Sequence, residues 1–167
     1  AVGVNISTGD VNNDGFDDLI ISGHSANPGG KNNAGEVYIV YGSNSLSGII
    51  SLSSANVTFQ GKSANDYVGS SVSVGDINND GFDDIIIGST SASPGGITEA
   101  GEVYVIYGSN TLSGIINLSS ADVTFQGKAP YYHTGSSISC GDVNNDGFND
   151  IMIGAYEADP QGLTDAG

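Results

Sequence analysis

Three short acidic segments carry the residues best suited to chemistry in this sequence. Each follows the pattern Asp-x-Asn-x-Asp-Gly-x-x-Asp, with side-chain oxygens at positions 1, 3, 5 and 9 and a glycine at position 6 that permits a sharp turn. Alternate residues of a tight loop point inward, so these oxygens and the position-7 carbonyl can converge on one cation. Hard oxygen donors in a flexible loop favour Ca²⁺ over softer metals.

The predicted calcium ligands recur at the same positions in every segment, so about three Ca²⁺ ions are expected per chain. Three carboxylates within one short loop repel one another strongly unless a cation offsets them. The predicted ligands are Asp10, Asn12, Asp14, the Phe16 carbonyl and Asp18; Asp76, Asn78, Asp80, the Phe82 carbonyl and Asp84; and Asp142, Asn144, Asp146, the Phe148 carbonyl and Asp150.

Two other interpretations explain these segments less well. An EF-hand loop begins similarly but needs Glu at position 12 and a helix on either side. Here position 12 is Ile21, Ile87 or Ile153, each inside a predicted strand. Sequences rich in Asx and glycine also form plain β-turns, but three copies with matching carboxylates favour metal binding.

The acidic segments belong to a tandem repeat with a period of 66 residues. Residues 1–66 and 67–132 are identical at 43 of 66 aligned positions, and residues 133–167 match the first half of the same unit. A register kept over whole units indicates one supersecondary unit copied in tandem. We predict repeat 1 at 1–66, repeat 2 at 67–132 and the first half of repeat 3 at 133–167.

Apolar patterning predicts four short strands per complete unit, with the acidic segment between the first two. The second strand is a short apolar run suited to burial on both faces, and turn sequences precede the later strands. No sustained helical period is present, although residues 46–52 are predicted to hold an irregular turn. The predicted strands are 71–74 and 137–140; 19–21, 85–87 and 151–153; 36–41 and 102–107; and 57–60 and 123–126.

This strand count predicts an all-β fold of four-stranded antiparallel blades, as in a β-propeller. A β-helix coil is much shorter than this repeat, and a sandwich domain is typically longer. A closed propeller has about 4–8 blades, whereas about two and a half are present. We therefore expect the chain to be a fragment of a longer propeller, whose remaining blades are its partners.

The charge of the chain excludes several classes of partner. There are 19 Asp and Glu residues against 3 Lys and Arg, which gives a net charge of −16. A basic surface for nucleic acid or anionic lipid is therefore not expected, and no apolar run approaches the roughly 18 residues of a membrane helix. Of the 19 acidic residues, 11 lie in the three acidic segments, so most of the charge belongs to the predicted metal sites.

The unit resembles the FG-GAP repeat of integrin α-chain β-propellers, which also occurs in large bacterial surface and secreted proteins. The resemblance covers the whole chain, and the acidic loop is its most specific part. In that family Phe-Gly opens the first strand and Gly-Ala-Pro ends the second. Here the corresponding residues are Val2-Gly3, Val68-Gly69 and Thr134-Gly135, and Ser22-Gly23-His24, Gly88-Ser89-Thr90 and Gly154-Ala155-Tyr156.

The resemblance implies a non-enzymatic, calcium-stabilised adhesion or interaction scaffold in an extracellular or cell-surface protein, with a protein or glycan ligand. No Ser/His/Asp or Cys/His set clusters in the sequence, so the residues themselves do not favour catalysis. Two alternatives stay open. One is a propeller attached to a secreted hydrolase or lyase, and the other is a carbohydrate-binding module.

Several other residues are assigned to structure rather than to function. Cys140 is expected in the core, and the two histidines, which do not recur between repeats, at the surface. The strand tyrosines 38, 41, 104 and 107 either form an aromatic binding surface or pack between blades, and their placement favours packing.

Overall fold

A computed structural model describes residues 5–159, and this part of the chain is all-β apart from single-turn 3-10 helices. Its strands form three sheets. The strands are Ile6–Gly9 (β1), Asp18–Gly23 (β2), Glu36–Val40 (β3), Val57–Gln60 (β4), Val68–Gly75 (β5), Asp84–Ser89 (β6), Glu102–Ile106 (β7), Gly114–Asn117 (β8), Val123–Gln126 (β9), Ser137–Gly141 (β10) and Asp150–Gly154 (β11). The helices are Pro28–Gly30, Leu52–Ser54, Pro94–Gly96 and Leu118–Ser120.

Two sheets are the predicted four-stranded antiparallel blades, and the third is the first half of another. Blade 1 contains β1 to β4, and blade 2 contains β5, β6, β7 and β9. Ile85 of β6 lies between Val74 of β5 and Ile106 of β7, and Leu19 takes the same place in blade 1. The hairpin β10–β11, called the half-blade below, pairs Cys140 with Ile151. The all-β propeller-segment prediction is confirmed.

The predicted strands are all found within the described residues, with small differences at their ends. The third strand of each blade ends at Val40 and Ile106, one residue earlier than predicted. The Val2-Gly3 motif and the end of repeat 3 at residues 160–167 lie outside the described residues.

The sequence did not predict β8. This strand comes from repeat 2, yet it pairs in parallel with β4 and makes the sheet of blade 1 five-stranded. Residues 46–52 of repeat 1 were predicted to hold an irregular turn, and a 3-10 helix starts only at Leu52. A strand that forms by docking on a neighbouring repeat has no local signal beyond its few apolar residues.

The blades pack face to face, and apolar side chains fill the space between them. Phe59 and Ile39 of blade 1 share a cluster with Ile87 and Tyr104 of blade 2, and each of the four is 0% exposed. Each such side chain contributes about 1.5–3 kcal/mol by leaving water. A second cluster, centred on Ile86, joins blade 2 to the half-blade.

Among the sheets formed by residues 5–159, only the middle blade has neighbours on both faces. All six residues of β6 are buried, as the prediction for the second strand required. Leu19 of β2 and Met152 of β11 are instead 38% and 40% exposed, because blade 1 and the half-blade each have one uncovered face. Within residues 5–159, no helix has the length and apolar character needed to cross a bilayer.

Candidate metal centre

Each acidic loop joins the first two strands of a unit. Gly9 pairs with Asp18 across the base of the first loop, and the equivalent pairs are Gly75 with Asp84 and Gly141 with Asp150. The ninth loop residue therefore begins the second strand in every unit. The sheet ladder fixes this carboxylate, while the preceding eight residues form the turn.

In the first loop, the side chains of Asp10, Asn12 and Asp14 accept hydrogen bonds from the main chain of the same loop. The two Asp10 oxygens accept from the N–H groups of Asp14 at 3.0 Å and Gly15 at 2.8 Å. Asn12 Oδ1 accepts from Asp14 N–H at 2.9 Å, and Asp14 Oδ1 accepts from Phe16 N–H at 2.9 Å. These bonds hold three oxygen-bearing side chains against one turn.

The other two loops repeat this arrangement. The corresponding bonds are 2.9–3.1 Å long in the second loop and 2.8–3.1 Å long in the third. The hydrogen bond from Gly147 N–H lowers the pKa of Asp142 and so favours its ionised form. Three copies of one geometry indicate that the loop sequence itself determines the turn.

Two residues in each loop adopt left-handed backbone conformations. In the first loop they are Asn13, with φ of 55°, and Gly15, with φ of 90°. Asparagine and glycine are the residues that tolerate this region best. The same pair recurs at 79 and 81 and at 145 and 147, with φ between 59° and 92°.

The ninth carboxylate connects the loop to the rest of its blade. Asp18 is fully buried, and its two oxygens accept from Val11 N–H at 3.0 Å and Gly42 N–H at 2.8 Å. Gly42 follows β3, so one carboxylate joins the loop to the end of the third strand. Burial raises the pKa of Asp18, and the two main-chain bonds oppose that rise.

The same contacts recur where the structure describes both partners. Asp84 accepts from Ile77 N–H at 3.0 Å and Gly108 N–H at 2.8 Å, and Asp150 accepts from Val143 N–H at 3.0 Å. The loop-to-strand connection is therefore part of the repeat.

The donor chemistry of the loops suits a hard cation. Each loop presents carboxylate and amide oxygens at positions 1, 3 and 5, next to the carboxylate at position 9, which is buried in Asp18 and Asp84 and half-buried in Asp150. Within residues 5–159, no three His, Cys, Asp or Glu side chains converge in one cluster. A cation would therefore also need the Asn and position-7 carbonyl oxygens, which are ligands that calcium accepts. The fifteen assigned ligands stay a prediction.

Sequence reasoning missed a contact that joins the first two loops. Asp83 Oδ2 accepts from Asp10 N–H at 2.9 Å, and Asp83 N–H donates to the Asp10 carbonyl at 3.1 Å. Burial raises the pKa of Asp83, and the bond from Asp10 opposes that rise. The eighth loop position, Asp17, Asp83 and Asn149 in the three copies, was the available signal.

The strand tyrosines, Cys140 and His133, which were assigned to structure from the sequence, lie against other parts of the fold. Tyr104 is fully buried between blades and Tyr41 is half-buried, whereas Tyr107 is 38% exposed. Cys140 is half-buried against the cluster around Ile86, so its predicted core position is only partly reached. The ring of His133 stacks on Tyr156 with centroids 5.2 Å apart.

Radially packed four-stranded antiparallel blades, each with an acidic loop between its first two strands, define this molecule as a β-propeller segment. The FG-GAP repeat family model matches residues 2–40, 68–106 and 134–167. The chain therefore belongs to the FG-GAP repeat family.

The chain is also similar to two kinds of larger protein. It is 32% identical over 151 residues to phosphatidylinositol-glycan-specific phospholipase D of Rattus norvegicus, an alignment that covers 89% of this chain and 18% of the relative. It is 34% identical over 158 residues to integrin alpha-5 of Xenopus laevis, covering 92% of this chain and 13% of that relative. The chain thus spans less than a fifth of either protein.

Proposed function

We propose that this chain is a calcium-binding propeller segment of an extracellular or cell-surface protein, where it serves as an adhesion or interaction scaffold. The observation that carries the proposal is the threefold repetition of one oxygen-lined loop with the same internal hydrogen bonds. Integrin alpha chains among the relatives support the scaffold role.

Calcium would act in these loops as a structural link. A cation beside Asp10 and Asp14 offsets their mutual repulsion and stabilises the turn between β1 and β2. Through Asp18 the loop is joined to the end of β3, and through Asp83 it is joined to blade 2. Metal binding is therefore expected to stabilise both the blade and its contact with the next one.

The proposed location follows from the expected affinity. Calcium sites in extracellular modules bind at about 10⁻⁴–10⁻³ M, which suits millimolar calcium outside cells. At millimolar calcium, which is about 1–10 times such a dissociation constant, each site adds about 0.4–1.4 kcal/mol to the free energy of unfolding.

Calorimetric titration and thermal unfolding test the calcium proposal. We expect about three Ca²⁺ ions per chain and a rise in Tm at millimolar Ca²⁺. Asp14→Asn should remove about one ion from the stoichiometry. Asp17→Asn is the matched control, because this exposed neighbour carries the same charge in the same loop but is not a predicted ligand.

Two results would contradict the calcium proposal. One is an unchanged Tm at millimolar Ca²⁺, and the other is an equal loss of binding in the Asp14→Asn and Asp17→Asn variants.

A second candidate is a non-catalytic propeller attached to a secreted hydrolase. The similarity to a phospholipase D over only 18% of that protein favours it, because the shared part is the repeat region. The sequence of the gene on either side of these residues tests it, and a hydrolase domain there would support this candidate. A carbohydrate-binding role is tested by glycan-array binding of the closed propeller.

A further inference from the structure

Strand β8 shows how one repeat covers the open edge of the repeat before it. Residues 114–117 lie parallel to β4, with Val57 opposite Gly114 and Phe59 opposite Ile116. Gly114 N–H donates to the Asn56 carbonyl at 2.9 Å. Because of this pairing, β4 has a hydrogen-bonded neighbour on both sides.

Apolar side chains at and beside β8 anchor it to the cluster between the blades, although three of the four β8 residues are themselves exposed. Leu118, immediately after the strand, is 1% exposed, and Leu112 and Ile116 pack on the same cluster. The Tyr41 hydroxyl of blade 1 donates to the Leu112 carbonyl at 2.7 Å. The contact therefore combines ladder bonds with buried apolar surface.

The acceptor strand of this arrangement occurs a second time, with no neighbour on its outer edge in the described sheets. Strand β9 has the same Val-Thr-Phe-Gln sequence as β4, but in the described sheets it pairs only with β7. Phe59 of β4 is fully buried, whereas its counterpart Phe125 is 41% exposed. An exposed strand edge with apolar residues is a ready site for strand addition.

The donor segment also occurs a second time outside any sheet. Residues 46–50 read Leu-Ser-Gly-Ile-Ile, identical to residues 112–116. Leu46 is 50% exposed and Ile49 is 103% exposed, whereas Leu112 packs against the core. In the copy that pairs with β4, Leu112 and Ile116 are partly buried and Ile115 stays 73% exposed, whereas residues 46–50 are all exposed.

An ion pair also joins repeat 1 to repeat 2 in the order of the chain. Lys62 of repeat 1 lies 2.7 Å from the Glu102 carboxylate of repeat 2, across the interface that β8 closes. Lys128 is the counterpart of Lys62, and Glu36 is the counterpart of Glu102. Neither counterpart forms an ion pair within residues 5–159.

We infer that β9 is the acceptor edge for the Leu-Ser-Gly-Ile-Ile segment of a following FG-GAP repeat, which adds to it as a parallel fifth strand. Lys128 then pairs with the glutamate that opens the third strand of that repeat. By the same rule, residues 46–50 are the donor segment for a preceding repeat. Each blade therefore covers the outer edge of the one before it, which gives the array a direction.

The half-blade indicates that the occupant is a following repeat and not a second copy of the chain. Ile138 and Ile153 of the half-blade already pack against the inner part of blade 2. The first blade of a second copy would have to displace them to reach the same position. The outer half of repeat 3 would meet no such obstacle, because it continues the sheet that β11 has begun.

The test extends the chain by a copy of residues 102–132 placed directly after Gly167. This junction keeps the register, since Asp165-Ala166-Gly167 corresponds to Glu99-Ala100-Gly101. Hydrogen exchange followed by NMR at constant Ca²⁺ measures the β9 amides that face away from β7. We expect their exchange to slow on the order of tenfold or more, with little change in β4.

The matched control is the same extension with the copies of Ile115 and Ile116 both changed to Asp, which should remove the slowing. The inference is overturned if the added residues become protected while β9 exchanges as in the original chain. Concentration-dependent protection of β9 in the original chain would also overturn it, because a second copy would then be the occupant.

A free peptide keeps the test decisive if the extended chain does not fold. The peptide has the sequence of residues 110–118 and is added at millimolar concentration to the original chain. Amide shift changes confined to β9 and its neighbours support the inference, and their absence overturns it.

Discussion

The third strands of blades 1 and 2 have nearly the same sequence but different surroundings. In blade 2, Glu102 is 2% exposed and its carboxylate is held by Tyr104 at 2.5 Å, Gln126 at 2.9 Å and Lys62 at 2.7 Å. The ammonium of Lys62 also lies 5.0 Å from the centroid of the Tyr104 ring, a cation–π contact.

In blade 1 the same network is present but incomplete. Glu36 accepts from Tyr38 at 2.6 Å and Gln60 at 2.9 Å, and no lysine pairs with it among the described residues. Tyr38 is only half-buried. The comparison shows that each repeat encodes a partial network, which the lysine of the preceding repeat completes.

The largest expected difference concerns the two tyrosines. Tyr104→Ala removes a fully buried ring and should lower the free energy of unfolding by about 3–5 kcal/mol. Tyr38→Ala should cost clearly less, because part of that ring already faces solvent. Urea denaturation of both variants measures this, and equal losses would contradict the comparison.

The second largest difference in the free energy of unfolding is expected between variants of the equivalent lysines Lys62 and Lys128. Lys62→Met leaves the Glu102 carboxylate buried with only its Tyr and Gln partners, at a cost of about 2–3 kcal/mol given that Lys62 is itself 31% exposed. Lys128→Met removes the same charge without breaking an ion pair in the described structure and should cost under about 0.5 kcal/mol. A Lys128 variant as unstable as the Lys62 variant would show that the ion pair is not the cause.

Gly9, Gly75 and Gly141 occupy equivalent positions in the three units but differ in how closely the neighbouring blade approaches them. A Cβ on Gly9 would collide with Val74 and lie 2.6 Å from Asp83 Oδ2, whereas one on Gly141 would meet nothing within 4 Å. Gly9→Ala should therefore cost about 1–3 kcal/mol, and Gly141→Ala should be close to neutral. A Cβ on Gly75 would lie 2.9 Å from Cys140 Sγ. The Tm of the Gly75→Ala variant should therefore lie between those of the Gly9→Ala and Gly141→Ala variants.

The smallest effect is a pH dependence at Glu102. Burial acts to raise its pKa, but the hydrogen bonds from Lys62, Tyr104 and Gln126 outweigh burial, and the pKa is lowered. A lowered pKa means that this stabilisation is complete above the ordinary glutamate range and is lost as the pH falls through the folded-state value. Glu102→Gln should therefore have a shallower loss of stability in acid than the wild type.

Glu36→Gln is the control for this pH dependence, since no lysine contacts Glu36 in the described structure. Tm measured from pH 3 to pH 7 compares the three proteins. If the Tm of the Glu102→Gln variant falls with decreasing pH as steeply as that of the wild type, ionised Glu102 does not supply the assigned stabilisation.

Local patterns made most of the strands and the turn of the acidic loops predictable. The alternation around Val72 and Ile138 and the apolar runs at residues 85–87 and 151–153 predicted strands that the structure contains. The glycine at position 6 and the oxygen side chains predicted a tight turn, and Gly15 has the expected positive φ. These features depend on residues close together in the sequence.

Contacts between repeats were not predictable from a single unit. Residues 114–116 pair with β4 and residues 48–50 belong to no strand, although the two segments 112–116 and 46–50 are identical in sequence. The bond between Asp83 and Asp10 likewise depends on how closely neighbouring blades approach.

The sequence by itself determined the repeat, the strand order within a blade and the conformation of the acidic loops, because each depends on spacing and turn chemistry within one unit. Only the tertiary structure decided which copy of each residue is buried, which glutamate has a lysine and which strand edge is covered. The physical reason is that burial and ion pairing in a tandem array arise between units, so identical sequences differ according to their neighbours.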